Sequence, residues 1–352
     1  NSGAGAGNVS ITAAGSILTG NNNNAADVRA DDTFTALSGL AIGTSGAANF
    51  LEVDATTLNL TSGNGGMYIE DLGAGGVGVT ANSQGTGDIV MTSAEVVTLT
   101  NVDTAQGVLT VTVTGAGAGA NAIIATDVDT NGKVTLTTVT NGDILATAID
   151  TSDDDVEITS AEDIRVTHID ADTLGTVTLD ADAAITDTGA VDGVMAGTMI
   201  VTDGTLVGTG TTSALAFNTT VASLDLSGVD GAVYILEADG LTVTQAVAGG
   251  LIDIDAGTGA MAIGTITANA GAAAVTLAAD GAMTDDNGGT NNITASTLTI
   301  DDAASIGASD NALNTTVDNL ALSNVDGDVY ILEIDALTID EATTAMGGST
   351  DI

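Results

Sequence analysis

Short runs of alternating apolar and polar residues recur along the whole chain. Clear examples are Val134-Thr-Leu-Thr137, Val156-Glu-Ile-Thr159 and Val177-Thr-Leu-Asp180. Alternation with a period of two is typical of a strand with one buried face, and Gly, Asn or Asp closes most of these runs. Helical periodicity is almost absent, so the pattern predicts an all-β protein built from many short strands.

The distance between successive runs predicts how the strands are organised. Val134, Val156 and Val177 follow one another at nearly equal intervals. A coil of about 21 residues with two or three short strands fits this spacing, and stacked coils form a parallel β-helix, or β-solenoid. We therefore predict one continuous β-solenoid over residues 1–352, in which residues 1–50 could form a distinct terminal segment.

A longer phrase, Leu-x-Leu followed by a glycine-containing turn and Tyr-Ile, occurs three times and contains Tyr68, Tyr234 and Tyr330. Residues 218–243 and 314–339 are identical at 18 of 26 positions, at an offset of 96. Because this is also the length of one immunoglobulin-like domain, tandem immunoglobulin-like β-sandwiches of about 96 residues are the alternative. The unequal spacing of the tyrosines, the short period of the coils and the absence of Trp favour the β-solenoid.

Charge restricts the classes of partner. The chain has 47 acidic residues against three Lys and Arg, a formal charge of −44. Such a field opposes binding to nucleic acid and to anionic membranes, and like-charged subunits repel one another unless cations are taken up. From this charge we expect divalent cations as partners and no nucleic acid. No apolar run approaches the roughly 18 residues of a membrane helix, so we also expect no membrane insertion.

The best candidate for a metal site is the segment from Asp127 to Gly132. Asp127, Asp129 and Asn131 place oxygen ligands at alternate positions before a glycine, as in the first half of a calcium loop. Thr138 stands where such a loop has its bidentate Glu. This pattern predicts calcium as the cofactor, against the alternative of a chance match in a chain so rich in Asp.

A second acidic group follows on the next coil, and its members are Asp150, Asp153, Asp154 and Asp155. Concentrated negative charge favours a nearby cation, although a hydrated surface corner would show the same pattern. Asp253 and Asp255 alternate with Ile252 and Ile254, which places both on the outer face of a strand. Stacked across coils, such rows could form ladders for cations or solvated polar faces.

Residues suited to catalysis are scarce. His168 is the only histidine, and no Cys or second His is present to complete a zinc site with it. A Ser-His-acid triad would have to use His168, and no nucleophile motif such as Gly-x-Ser-x-Gly is present. Enzymes that act on polysaccharides usually need aromatic platforms or cationic groups, and this chain has three Phe, three Tyr and no Trp. We therefore expect that the protein is not an enzyme.

Several phrases resemble the repeats of large bacterial surface proteins of the filamentous-haemagglutinin type. These phrases are Asn8-Val-Ser-Ile-Thr-Ala-Ala-Gly-Ser-Ile17, Ala41-Ile-Gly-Thr-Ser45, Ser305-Ile-Gly-Ala-Ser309 and Val329-Tyr-Ile-Leu-Glu333. The resemblance implies a right-handed parallel β-helix that is exported and displayed outside the cell. It carries no functional residues over to this chain, because the shared phrases are those that form coils.

These features together predict an extracellular structural protein at the cell surface. A solenoid ends in unpaired strand edges, and neither terminus shows a recognisable cap. We therefore expect that acidic solenoids associate head to tail into a filament, stalk or layer with divalent cations, or that the sequence belongs to a longer parent chain. A signal peptide would have been removed or lie outside this sequence. The alternative is the passenger region of a bacterial adhesin that binds a cell or surface ligand.

Overall fold

The structure is a computed structural model that describes residues 7–20, 25–46, 49–115, 120–189, 193–212, 215–344 and 349–352. The chain divides into two compact units, Asn1–Gly175 and Thr176–Ile352. Each unit consists of short parallel strands, which confirms the all-β prediction.

In the first unit the strands are short because a corner interrupts the chain every few residues. They are β1 (Val9–Ala13), β2 (Val28–Arg29), β3 (Thr33–Ser38), β4 (Leu51–Asp54), β5 (Thr57–Ser62), β6 (Met67–Asp71), β7 (Val77–Ser83), β8 (Ile89–Ser93), β9 (Val97–Thr104), β10 (Leu109–Val113), β11 (Asn121–Ala125), β12 (Val128–Thr130), β13 (Val134–Thr138), β14 (Asp143–Ala146), β15 (Ile149–Thr151), β16 (Val156–Ser160), β17 (Ile164–Val166) and β18 (Ile169–Asp170).

Several strands of the second unit are longer, and a short 3-10 helix, Asn269–Gly271, interrupts them. The strands are β19 (Thr176–Ala181), β20 (Ala184–Asp187), β21 (Val194–Asp203), β22 (Leu206–Val207), β23 (Phe217–Val229), β24 (Val233–Glu237), β25 (Leu241–Ala248), β26 (Ile252–Asp255), β27 (Met261–Ala268), β28 (Ala274–Ala278), β29 (Ala282–Asp285), β30 (Ile293–Asp302), β31 (Ser305–Ile306), β32 (Leu313–Val325), β33 (Val329–Glu333), β34 (Thr338–Thr344) and β35 (Thr350–Asp351).

Within each unit a strand pairs in parallel with the strand one coil further along. In the first unit β13 pairs with β10 and β16, with Val134 opposite Leu109 and Val156. Coil length varies, since the step between the partners Phe217 and Ile235 is shorter than the step between Val102 and Val128. This parallel pairing confirms the β-solenoid, with coils close to the length that the sequence predicts. Tandem immunoglobulin-like sandwiches are wrong, because they require antiparallel sheets.

The core forms where the inward residues of stacked coils meet. In β13, Val134 and Leu136 are fully buried, whereas Thr135 and Thr137 between them are half-exposed. The same alternation holds in β10 and β16, so each apolar side chain lies above and below another of its kind. Burying one Val, Leu or Ile contributes roughly 1.5–3 kcal/mol. Many small increments of this size therefore maintain a core almost without aromatics.

One corner of the first unit is a column of glycines, formed by Gly87, Gly107 and Gly132, which we call the glycine column. A Cβ atom added to Gly107 would lie 2.1 Å from the carbonyl oxygen of Gly87. A Cβ atom on Gly132 would likewise lie 2.5 Å from the carbonyl oxygen of Gly107. Only glycine permits the main chains of successive coils to approach this closely. The column therefore fixes the corner at which the chain enters β10 and β13.

The repeated tyrosine phrase has a partner that its sequence does not make obvious. In each of the three copies, a glycine with positive φ on the preceding coil lies against the carbonyl oxygen of the tyrosine. A Cβ atom added to that glycine would lie 2.2–2.5 Å from this oxygen. The three pairs are Gly43 with Tyr68, Gly208 with Tyr234, and Gly307 with Tyr330. The repeat is therefore a unit of two adjacent coils, because the phrase needs this glycine beneath it.

Candidate cation-binding faces

Strand register in the first unit aligns four aspartates on the outer surface. Asp103 of β9 is opposite Asp129 of β12, Asp129 is opposite Asp150 of β15, and Asp150 is opposite Asp170 of β18. We call this row the aspartate column. Adjacent strands lie about 4.8 Å apart, so each carboxylate has another within one strand spacing. Asp129 and Asp150, which belong to two separate candidate groups in the sequence, thus lie in one row.

The electrostatics of the column are those of crowded like charges. Partial burial raises the pKa of Asp150 above its ordinary value, and the charges of Asp170, Asp129 and Asp172 raise that pKa further. His168 acts in the opposite direction. The raised pKa means that the ionised form of Asp150 is disfavoured. A cation beside the column would relieve this repulsion.

The predicted calcium half-loop adopts a different conformation from a calcium loop. Val128–Thr130 is an extended strand, with Val128 and Thr130 inward and Asp129 exposed. Asp127 Oδ2 accepts a hydrogen bond of 2.7 Å from Asn101 Nδ2 on the preceding coil. An extended strand places alternate residues about 6.6 Å apart, so Asp127, Asp129 and Asn131 are spread along the surface instead of surrounding one point.

Asn131 also connects coils. Its Nδ2 donates to the carbonyl oxygen of Ala105 at 2.9 Å, and its Oδ1 accepts from Ser152 Oγ at 2.7 Å. In the part of the chain that the structure describes, no three His, Cys, Asp or Glu side chains come together as a group that could hold a metal ion. The assignment of calcium to these residues therefore stays a prediction.

Of the other acidic group, Asp150 belongs to β15, and Asp153, Asp154 and Asp155 lie in the turn between β15 and β16. Asp153 has a positive φ of 61°, and its Oδ1 accepts from the main-chain amide of Leu174 at 3.3 Å. The carbonyl oxygen of Asp154 accepts from Thr151 Oγ1, and that of Asp155 accepts from the amide of Val134. These bonds shape a tight acidic corner that follows Asp150 of the aspartate column in the chain.

Each of the three basic side chains forms an ion pair with an acidic residue on another coil. Lys133 pairs with Glu157, Arg165 pairs with the buried Asp143, and Arg29 lies 3.8 Å from Asp54. Burial raises the pKa of Asp143 despite the Arg165 guanidinium, which lowers it only in part. Because these three cations are already paired, they do not neutralise the aspartate column.

The second unit has an acidic groove of about 410 Å³ on its outer face, lined by Tyr234, Asp253, Asp255, Thr276 and Asp301 among others. Asp253 lies opposite Tyr234 on one side and Thr276 on the other. Burial raises the pKa of Asp253, and the neighbouring charges of Asp301 and Asp255 add to the effect. The outer-face position expected for Asp253 and Asp255 is confirmed, whereas no sequence pattern indicated that Asp301 joins them.

Sequence analysis also missed a buried acid three residues after two of the tyrosines. Glu237 follows Tyr234 and is 1% exposed; its carboxylate accepts from Thr219 Oγ1 and from the amides of Val221 and Ala238, at 2.6–3.0 Å. Asp71 takes the corresponding position after Tyr68 and is 2% exposed. Burial raises the pKa of both groups. Strand alternation could have revealed them, because the third residue after an outward tyrosine points inward.

The fold places the chain in the class of β-helix repeat proteins. Comparisons with protein-family models, with curated proteins and with solved structures give no significant match. Among the described residues, no helix combines the length and the apolar character required to span a membrane. Function has therefore to be inferred from the surfaces of the two units.

Proposed function

We propose that this protein is an extracellular structural protein whose acidic β-solenoids associate head to tail into a cell-surface filament, stalk or layer, with divalent cations between the acidic faces. The observation that carries the proposal is a group of exposed apolar side chains in β33, in β34 and in the segment between them, which we call the apolar edge. Ile339 of β34 is 50% exposed, and Leu332 and Ile334 are 56% and 61% exposed. Large apolar side chains exposed together are typical of an interaction surface.

The internal repeat provides a direct comparison for this edge. Val243 occupies the position equivalent to Ile339 in the earlier copy and is fully buried, because it lies opposite Ile263 of the next coil. Ile339 lies opposite Leu320 of the preceding coil. A further coil over β34 would bury Ile339 as β27 buries Val243. In the proposed assembly that coil belongs to a second copy, whose β1 offers the half-exposed inward residues Val9 and Ile11.

The aspartate column supports the part assigned to cations. Assembly would bring together chains that each carry a formal charge of −44. Divalent ions beside stacked carboxylates such as Asp129 and Asp150 would reduce the repulsion both within one chain and between chains. The resemblance of the coil-forming phrases to surface proteins of the filamentous-haemagglutinin type supports an extracellular, cell-surface location.

The test is electron microscopy and light scattering of the purified chain, first with millimolar calcium and then with a chelator. We expect filaments or sheets that grow with protein concentration in calcium and dissolve on chelation. Ile339→Asp should abolish assembly, because it places a charge on the apolar edge. Val139→Asp is the matched control, since Val139 is 55% exposed but lies in the turn between β13 and β14.

The proposal fails if the chain remains monomeric at every concentration and in both buffers. It also fails if Ile339→Asp and Val139→Asp assemble equally well. Single particles in all conditions would favour the alternative function, the passenger region of an adhesin. A binding screen against cell surfaces would then be the next measurement.

A further inference from the structure

A buried carboxylate in the second unit has one oxygen without a hydrogen-bond donor. Asp285 ends β29 and is 8% exposed. Its Oδ1 accepts three hydrogen bonds, from the main-chain amides of Asn287 and Gly288 and from Asn292 Nδ2, at 2.7–3.2 Å. Its Oδ2 is buried and has no partner. A buried acceptor without a donor is unfavourable, so an oxygen in this position needs an explanation.

A second oxygen of the same loop is in the same state. Asn287 Nδ2 donates to the carbonyl oxygens of Gly264 and Asn291, at 2.6 and 3.3 Å, and these two acceptors fix the orientation of the amide. Asn287 Oδ1 therefore points away from both, and it too is buried without a partner. Two oxygens without donors thus come from residues 285 and 287 of one tight loop.

The charge of Asp285 has no cationic side chain near it in sequence. Burial alone would raise the pKa of this carboxyl, but hydrogen bonding from Asn292 and from the amides of Asn287, Gly288 and Gly289 outweighs burial and holds the pKa below its ordinary value. Asp285 is therefore ionised at neutral pH. Residues 176–352 contain no Lys, Arg or His. A buried charge is costly without a counter-charge, and no side chain of residues 176–352 supplies one.

The equivalent residue in the preceding repeat, Asp187, shows the satisfied state. Its Oδ1 accepts from the amide of Gly189. Its Oδ2 accepts from both the amide and Nδ2 of Asn218, at 3.2 and 2.6 Å. In the later repeat, Asp285 and Asn314 correspond to Asp187 and Asn218, and Asn292 lies between them. Asn292 Oδ1 accepts from the amide of Asn314, and Asn292 Nδ2 donates to Asp285 Oδ1. Asp285 Oδ2 is left without the donors that Asp187 Oδ2 has.

We propose that Asp285 Oδ2 and Asn287 Oδ1 are ligands of a hard, oxygen-seeking metal cation, calcium or sodium, held by the loop of residues 285–292. Carboxylate, amide and main-chain oxygens are the ligands that such cations prefer. Gly288 and Gly289 both have positive φ, which lets the chain reverse tightly after Asn287. With a single carboxylate, this site differs in kind from a cluster of acidic side chains. It is also independent of the proposed assembly.

The experiment is calcium binding to the full chain by titration calorimetry in a high-potassium buffer that screens the acidic surface, together with thermal unfolding. Ile339→Asp serves as the background, so that binding is measured on unassembled protein. We expect one calcium site per chain and a rise in melting temperature with calcium. Asp285→Asn should lose both effects. Asp187→Asn, the matched control, should keep both, because the carboxylate of Asp187 is already satisfied.

Asn287→Ala is a second variant that leaves the buried charge in place, and it should bind calcium more weakly than the background protein. Replacing potassium with sodium tests the other ion, and a rise in melting temperature that both loop variants lose would assign the site to sodium. The proposal is overturned if neither ion distinguishes Asp285→Asn and Asn287→Ala from the background. In that case bound water satisfies the two oxygens.

Discussion

Replacing Asp150 with Asn should stabilise the protein, because it removes one charge from the middle of the aspartate column. Asp150 lies between Asp129 and Asp170, one strand away on either side. At a separation of about 4.8 Å in water, two unit charges repel by about 0.9 kcal/mol. Two such neighbours give about 1–2 kcal/mol before screening, and salt at 0.1 M reduces this to about 1 kcal/mol.

Urea unfolding at neutral pH, with a chelator present and a probe in the coils that carry the column, measures this change in the free energy of unfolding of those coils. Urea is required because guanidinium is itself a salt and would screen the charges. The gain should shrink about threefold between 0.1 M and 1 M salt, following the shorter screening length. Asp310→Asn is the control, since Asp310 is exposed on the turn between β31 and β32, outside the column. Calcium should stabilise the wild-type protein more than Asp150→Asn.

Two results would refute the reasoning about the column. If Asp150→Asn were neutral or destabilising at low salt, the four aspartates would not repel at the distances that the register implies. If the gain were independent of salt, its origin would be packing or hydration and not charge. Either result would also weaken the assignment of divalent cations to this face.

Three other predictions concern the corner, the buried acids and the core. Gly107→Ala should lower the free energy of unfolding by about 1–3 kcal/mol, because its Cβ would overlap the main chain of Gly87. Gly75→Ala is the control: no atom lies within 4 Å of its added Cβ, so the free energy of unfolding should change by less than about 0.5 kcal/mol. Urea titration measures both changes. Stability should decrease as the pH rises from the ordinary Glu pKa of 4.5 through the raised pKa of Glu237, since the folded state binds that proton more tightly. Glu237→Gln should flatten this part of the stability profile, and an unchanged slope would show that burial of Glu237 does not set it. Leu136→Ala should destabilise by about 2–5 kcal/mol in thermal or urea unfolding, because Leu136 is fully buried between coils.

Much of the fold was predictable because strand alternation and coil length are local properties of the chain. Val134 and Val156, spaced in the sequence by one coil, are register partners in β13 and β16. The partner glycines of the tyrosine phrase were not predictable in the same way. Gly43 and Tyr68 lie on successive coils. Their contact depends on the conformation of the chain between them, which no local sequence pattern specifies.

The candidate sites were predictable only as far as they depended on alternation. Outer-face positions for Asp253 and Asp255 follow directly from the period of two. The aspartate column needed the register between coils of unequal length, since the step from Asp103 to Asp129 is longer than the step from Asp150 to Asp170. The loop at Asp285 needed side-chain geometry, because its distinction from Asp187 arises from the hydrogen bonds of Asn292.

The pairing of each strand with the next coil has a consequence for how this protein would come apart. A coil within either unit touches its immediate neighbours and little else, so stability adds up from nearest-neighbour interfaces along the stack. A lesion at one interface, such as a side chain forced into the glycine column, would weaken that step and leave distant coils intact. Gradual denaturation should therefore populate chains in which some coils are unfolded while others stay folded. Spectroscopic probes placed in different coils should then report different unfolding midpoints.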